Sequence, residues 1–253
     1  MLVNLTDNII LPSFFELEEK LRELKSNLDS FSEELDLISL TLLRESFIDA
    51  YISWQHVEMF NIGKAEEIYY PQKMNIYPSN ISRIHLNMTK VDLDLDAGQN
   101  EYSAQGFPAL DYMLFGLGDN DNEIILTYSN LNNNSLPYLI ILVDKMISNT
   151  STVIEDWKIN RTEFVNSFGN NSSSSLNMLV NDYVYYFEKG LRTNKFGIPA
   201  GRWALKRPQN VEAFYAKNLS KILAIEALKA CNNFFSGKGK LSNNIDGDSF
   251  KSY

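Results

Sequence analysis

This 253-residue sequence has few or none of the cysteines, long apolar runs and basic clusters that several classes of protein require. It contains one cysteine, Cys231, so no disulfide bond can form within the chain. None of its apolar runs reaches the roughly 18 residues that a membrane-spanning helix needs, and no signal peptide opens it. It carries 32 acidic against 23 basic residues, a formal net charge of −9. That acidity argues against binding to nucleic acid, because phosphates are bound by basic surfaces.

Sequence motifs of common enzymes are also missing. The chain has no His-Glu-x-x-His, no Gly-x-Ser-x-Gly, no Walker loop and no Gly-x-Gly-x-x-Gly. Cys231 falls within an alanine-rich helical pattern, so we expect a small core residue rather than a reactive thiol. The sequence is therefore poorly equipped for catalysis and favours a binding protein over an enzyme.

Apolar residues recur at helical spacing along most of the chain, which predicts an all-α protein. The first helix shows this spacing from Leu17 to Leu28, and a short link at Ser30 is expected to join it to the second. The remaining predicted boundaries are the end of the second helix at Gly63, helix starts at Pro108, Pro137, Leu176 and Pro208, a turn-rich loop over Phe196–Gly201, and a final stop at Gly237.

Two stretches suggest how the chain is divided. Residues 64–104 have no sustained period and are expected to form a long loop, in which the alternation over residues 91–96 is typical of a short strand. The polar Asn132–Asn134 turn is the best point of division. We therefore predict two tandem helical bundles, an N-terminal one over residues 1–130 and a C-terminal one over residues 131–253.

The most informative stretch is Gly106-Phe107-Pro108-Ala109-Leu110-Asp111-Tyr112. Its glycine and proline open a short apolar helix, and Pro108 is expected at the first helical position. Asp111 lies among residues that favour burial, where a carboxylate is costly unless it is paired. Asp111 is therefore either a structural acid, stabilised by the free N–H groups of its own helix, or the polar floor of a binding site.

This stretch resembles the Gly-x-His-x-x-Glu signature of the imelysin-like peptidase family. Gly106 stands at the glycine, Pro108 at the histidine and Asp111 at the glutamate. The further segments that carry the resemblance are Asn8–Pro12 before the first helix, Trp54 and Glu58 at the end of the second, the loop Phe196–Gly201, and Glu212, Tyr215 and Ser220 in the last helix.

The resemblance implies two four-helix bundles packed as pseudo-repeats, with a site near their junction. It implies a bacterial protein of iron uptake that is periplasmic or attached to the outer membrane as a lipoprotein, its leader and lipid anchor absent from this sequence. Some family members are classed as metallopeptidases. Because members usually continue for several more helices, the resemblance leaves open whether the second bundle is complete.

The leading hypothesis is an exported, non-catalytic protein that binds a small ligand or a protein partner of an iron-uptake system at the inter-bundle cleft. An imelysin-type metallopeptidase and a purely structural surface module are the alternatives. Pro108 removes the imidazole that would bind a metal, so Asp111 is the one candidate ligand for iron or another divalent metal. The candidate ligand-binding residues are Trp54, Glu58, Gly106, Pro108, Asp111, Tyr112, Arg202 and Glu212.

Overall fold

The computed structural model describes residues 1–130, 132–169, 171–240 and 247–252, and the regular secondary structure of these ranges is helical. This confirms the predicted all-α class. Residues 131 and 253, which bound the predicted second domain, lie outside the described residues. The helices are α1 (Leu2–Leu5), α2 (Leu11–Glu33), α3 (Leu37–Trp54), α4 (Lys64–Glu67), α5 (Tyr70–Met74), α6 (Ile81–Asn87), α7 (Gly106–Phe115), α8 (Asp121–Ser129), α9 (Ser135–Val165), α10 (Ser175–Tyr185), α11 (Ile198–Ala200) and α12 (Leu219–Ser236), with π-helices π1 (Thr6–Ile10) and π2 (Tyr186–Gly197) and 3₁₀ turns at Gln99–Ala104, Pro208–Asn210 and Phe250–Ser252.

Helices α2 and α3 form the first helical hairpin, but its link is not at Ser30 as the sequence predicted. Helix α2 continues to Glu33, and the chain turns over residues 34–36. Asp36 fixes this turn because its carboxylate accepts the Ser39 N–H at 2.8 Å and caps α3. The apolar face of α2, which includes Leu17 and Leu28, is fully buried.

The predicted end of the second helix at Gly63 is wrong. Helix α3 ends at Trp54, and Gly63 instead precedes α4 with a φ of 61°, a conformation that favours glycine. The long loop over residues 64–104 contains the short helices α4, α5 and α6 and a 3₁₀ turn, and residues 91–96 form bends and turns rather than a strand. Within this segment, α5 lies in contact with α7.

The long helix α9 packs along α2, while α7 contacts both α3 and α9. Helix α12 packs against α3 and π2. The contact between α2 and α9 joins the two predicted domains, and their division near residue 130 stays a prediction. In the part of the chain that the structure describes, no helix is long and apolar enough to cross a membrane.

The C-terminal segment differs most from the sequence prediction. Residues 196–200 are helical rather than a loop, because π2 and α11 continue to Ala200 before Gly201 turns the chain with a φ of 74°. The last helix begins at Leu219 rather than at Pro208, and residues 211–218 have no regular structure. It ends at Ser236, and Gly237 caps it as the predicted stop.

Candidate functional site

Helix α7 begins in close contact with the end of α5. Gly106 is its first residue and has a φ of 72°, and a Cβ atom at this position would overlap the backbone carbonyl of Met74. A glycine is therefore required for α7 to approach α5 so closely. The sequence predicted Pro108 at the first helical position, but it is the third residue of α7. Next to it, Phe107 is fully buried and stacks on Tyr51, with ring centroids 4.4 Å apart.

Asp111 connects α7 to the irregular segment before α12. Its side chain is almost fully buried, and its two carboxylate oxygens accept the N–H groups of Tyr215 at 2.9 Å and Ala216 at 2.8 Å. The structural interpretation from the sequence placed the partners of Asp111 in its own helix, whereas they belong to residues more than 100 positions away. Asp111 therefore holds residues 211–218 in place.

Burial raises the pKa of Asp111 from 3.8 to about 6. The two backbone N–H groups lower this pKa, and the nearby carboxylate of Glu212 raises it further. At neutral pH the side chain is therefore mostly ionised, although it protonates more readily than an exposed aspartate.

Beside Asp111 lies a buried cluster of charges centred on Lys195, which π2 supplies. The Lys195 ammonium donates to Glu212 Oε2 at 2.5 Å and to Gln55 Oε1 at 2.7 Å, and it lies 3.5 Å from Glu58 Oε2. The side chains of Lys195 and Glu212 are each 2% exposed. Burial by itself lowers the pKa of Lys195, but the attraction of Glu212 and Glu58 outweighs it and leaves that pKa above its ordinary value.

Amide and phenol side chains saturate the same carboxylates. Asn75 donates to Glu58 Oε1 at 2.7 Å and to Glu212 Oε1 at 2.8 Å. The Tyr186 hydroxyl donates to Glu58 Oε2 at 2.9 Å, and the Tyr51 hydroxyl donates to Asn75 Oδ1 at 2.7 Å. The cluster thus joins α3, the turn after it, α5, π2 and the irregular segment, and its carboxylates outnumber its one ammonium.

A cavity of about 210 Å³ has Asp111 in its lining. The irregular segment that Asp111 holds and the chain that leads into α6 both contribute to this lining. The lining residues are Tyr77, Pro78, Ser79, Pro108, Asp111, Gln209, Val211, Ala213, Phe214 and Tyr215.

The other predicted site residues are dispersed. Trp54 is fully buried in the core, where its ring lies 5.4 Å from that of Tyr70. The Tyr112 hydroxyl forms a hydrogen bond of 2.7 Å with His85, away from the lining of the cavity. Arg202 is exposed and lies over the ring of Trp203. The structure thus brings Glu58 and Glu212 into one cluster and sets Gly106, Pro108 and Asp111 beside it.

Five members of the cluster were not predicted as site residues from the sequence: Tyr51, Gln55, Asn75, Tyr186 and Lys195. Lys195 lies in an amphipathic stretch where a surface lysine is the ordinary expectation, Gln55 lies in the turn after α3, and Asn75 follows α5, neither of them in a recognisable motif. Their side chains become functional candidates only because the fold buries them around Glu212.

A second cavity, of about 190 Å³, lies beyond Glu58 and is lined in part by Asp182, Tyr185 and Tyr186. Asp182 is half-buried and accepts the Asn61 N–H at 2.9 Å. Burial raises its pKa to about 7, the Asn61 N–H opposes this rise, and repulsion from Glu66 adds to it.

We expect Asp182→Asn to stabilise the protein at pH 8 but not at pH 4. Because the folded-state pKa of Asp182 lies above the unfolded-state value, its contribution to stability is complete near pH 4 and is lost as the pH rises through about 7. Asparagine keeps an acceptor for Asn61 and does not ionise. The melting temperature should rise by about 2–4 °C at pH 8. The exposed Asp92→Asn is the control, and equal shifts at both pH values would contradict the prediction.

The cavity residues do not fit a metal ion. Proline has no ligand atom at position 108, and Asp111 is the one acidic side chain among the described lining residues, whereas a transition metal is usually held by three or four protein ligands. Within the described residues, no three His, Cys, Asp or Glu side chains come together in a way that could hold a metal.

The comparisons with known proteins agree with this fold. The family model described as Imelysin, a peptidase family by name, matches residues 10–253, so the chain belongs to the imelysin family. An imelysin-like protein from Psychrobacter arcticum superposes with a TM-score of 0.73 at 16% identity, over 93% of this chain and 72% of the other. A protein described as a precursor of iron-regulated protein A, from Parabacteroides distasonis, gives 0.72 at 16% identity, over 97% and 75%. The comparison with curated proteins finds no significant match.

Proposed function

We propose that this protein is an exported, non-catalytic binding protein of a bacterial iron-uptake system. In this proposal, the cavity beside Asp111 receives a group of a small ligand or of a protein partner, and it corresponds to the cleft between two bundles. The observation that carries the proposal is a cavity with a buried carboxylate in its lining and a wall, residues 209–215, which that carboxylate holds in place.

The hydrogen bonding around the cavity supports binding rather than catalysis. Asp111 engages both of its oxygens with backbone N–H groups, and the ammonium of Lys195 is surrounded by Gln55, Glu58 and Glu212. These groups are held by protein partners in one arrangement, which suits a preformed binding surface better than the transfer of protons.

Charge indicates the chemistry of the ligand. In the part of the chain that the structure describes, Asp111 is the one charged side chain in the lining of the cavity, and in the neighbouring cluster the carboxylates of Glu58 and Glu212 outnumber the ammonium of Lys195, so the site is negative overall when Asp111 is ionised. Each oxygen of Asp111 keeps a lone pair that can accept a further hydrogen bond. A cationic group with N–H donors therefore fits best, and the side chain of an arginine or lysine has the size of the cavity.

The test is a titration with n-butylguanidinium, a mimic of an arginine side chain, followed by ¹⁵N–¹H NMR spectra. The amide signals of Tyr215 and Ala216, which report on the Asp111 carboxylate, should shift saturably. Ser79→Phe should abolish the shifts because it fills the cavity, whereas the exposed Ser129→Phe should not. Unchanged amides, or identical shifts in Ser79→Phe, would refute the proposed binding site.

The iron-uptake setting and the location rest on family membership and on the name of one structural relative, an iron-regulated precursor. We propose a periplasmic protein or an outer-membrane lipoprotein. Cell fractionation combined with immunoblotting tests this setting. The protein should be found in the envelope fraction, and its abundance should rise under iron limitation.

A metallopeptidase is the second candidate, favoured by the name of the family model. If this candidate is correct, the purified protein should have protease activity. A chelator should abolish that activity, and the Asp111→Ala variant should not have it. A purely structural module is the third candidate and is favoured by the full burial of Trp54 and Phe107. Failure of every titration and absence of protease activity would support it.

A further inference from the structure

The turn that follows α11, residues 201–207, exposes two large apolar side chains to solvent. Residues 202–209 are all exposed, and Trp203 and Leu205 expose 57% and 83% of their surface. Burying large apolar side chains is normally favourable, so two exposed ones only two residues apart on one turn indicate a contact surface.

This turn is held in one shape by its own backbone. The Arg202 N–H donates to the Gly197 carbonyl at 2.9 Å, and the Arg207 N–H donates to the Pro199 carbonyl at 3.1 Å. Gly201 has a φ of 74°, and a Cβ atom there would overlap the Lys206 backbone. The apolar side chains are thus presented by a fixed turn whose backbone is tied to α11.

The same turn carries three positive charges in a chain with a net charge of −9. Arg202, Lys206 and Arg207 are exposed, and among the described residues none of the three forms an ion pair with an acidic side chain. By contrast, the exposed Arg22, Lys158 and Lys229 each pair with a glutamate on the same helix. The cations of the turn therefore remain available to an anionic partner.

We propose that this turn, residues 201–207, docks on the surface of an anionic lipid bilayer. Tryptophan and leucine insert at the boundary between headgroups and acyl chains, while flanking arginine and lysine side chains bind anionic headgroups. Exposed tryptophan and leucine side chains next to three cations on one short turn favour a fluid anionic surface over an acidic protein. The inference is independent of the proposed function, because no residue of the turn lines the Asp111 cavity.

The experiment uses the purified protein with vesicles of phosphatidylcholine, with and without 30 mol% phosphatidylglycerol. Trp203 is the natural reporter because the other two tryptophans, Trp54 and Trp157, are buried. We expect binding to the anionic vesicles with a blue shift of the Trp203 emission, and release in 0.5 M salt.

Two variants and their controls decide the result. Replacing Arg202, Lys206 and Arg207 by serine should weaken binding about a hundredfold, since each cation near an anionic surface contributes about fivefold. Replacing Arg22, Lys158 and Lys229 by serine alters the net charge equally and should weaken it far less. Leu205→Ala should weaken binding about tenfold, and the equally exposed Phe168→Ala should not.

The proposal is overturned if the protein ignores anionic vesicles or if the two triple variants lose equal affinity. It is also overturned if the Trp203 emission stays unshifted in the bound state. Self-association through the turn in the absence of vesicles would assign the surface to a second copy instead and would equally refute lipid docking.

Discussion

Replacing Lys195 by methionine should lower the free energy of unfolding by about 3–5 kcal/mol. Methionine is unbranched and similar in size to lysine, so most of the packing is kept. The ammonium that neutralises Glu212 and Glu58 is lost. Two carboxylates would then remain buried and close together, both bridged by Asn75, without a compensating charge. Urea unfolding followed by circular dichroism measures the effect, and the melting temperature should fall by about 10 °C.

The control is Lys189→Met, which removes an exposed lysine from the same π-helix. It should change the free energy of unfolding by less than about 0.5 kcal/mol. The addition of Glu212→Gln to Lys195→Met should restore part of the stability, because it removes one of the unpaired charges. An equal loss of stability in the single and double variants would show that packing, rather than charge, accounts for the effect of Lys195.

Replacing Asp111 by alanine should cost about 2–5 kcal/mol. The variant leaves the N–H groups of Tyr215 and Ala216 without acceptors, and each unsatisfied buried donor costs about 1–3 kcal/mol. The irregular segment should loosen as a result, because Ala213 and Asn218 hold positive φ angles of 51° and 71°, which L-residues rarely adopt.

Hydrogen exchange distinguishes this local effect from general destabilisation. The amides of Tyr215 and Ala216 should exchange faster in Asp111→Ala even where the core of α2 remains protected. Asp111→Asn keeps one acceptor and should cost about half as much. If Asp111→Ala has wild-type stability and wild-type exchange at these two amides, Asp111 does not hold the segment.

The sequence determined the helical class and much of the core. The period of apolar residues in α2, from Leu17 to Leu28, marks the face that the structure buries, because helix geometry repeats within a few residues. The family signature around Gly106 could also be recognised in the sequence. The structure shows why its glycine is needed, because α7 approaches the backbone of Met74 at this residue. The pseudo-repeat of two bundles and the roles of the predicted site residues stay predictions.

Only the tertiary structure decided which polar groups meet. The spacing of apolar residues and the proline predicted a last helix from Pro208, but the contacts of Asp111 with Tyr215 and Ala216 hold the chain irregular until Leu219. The burial of Lys195 beside Glu212 joins π2 to the segment that precedes α12. Periodicity reports only neighbours within a helical turn, whereas these partners come from different elements and are selected by three-dimensional packing.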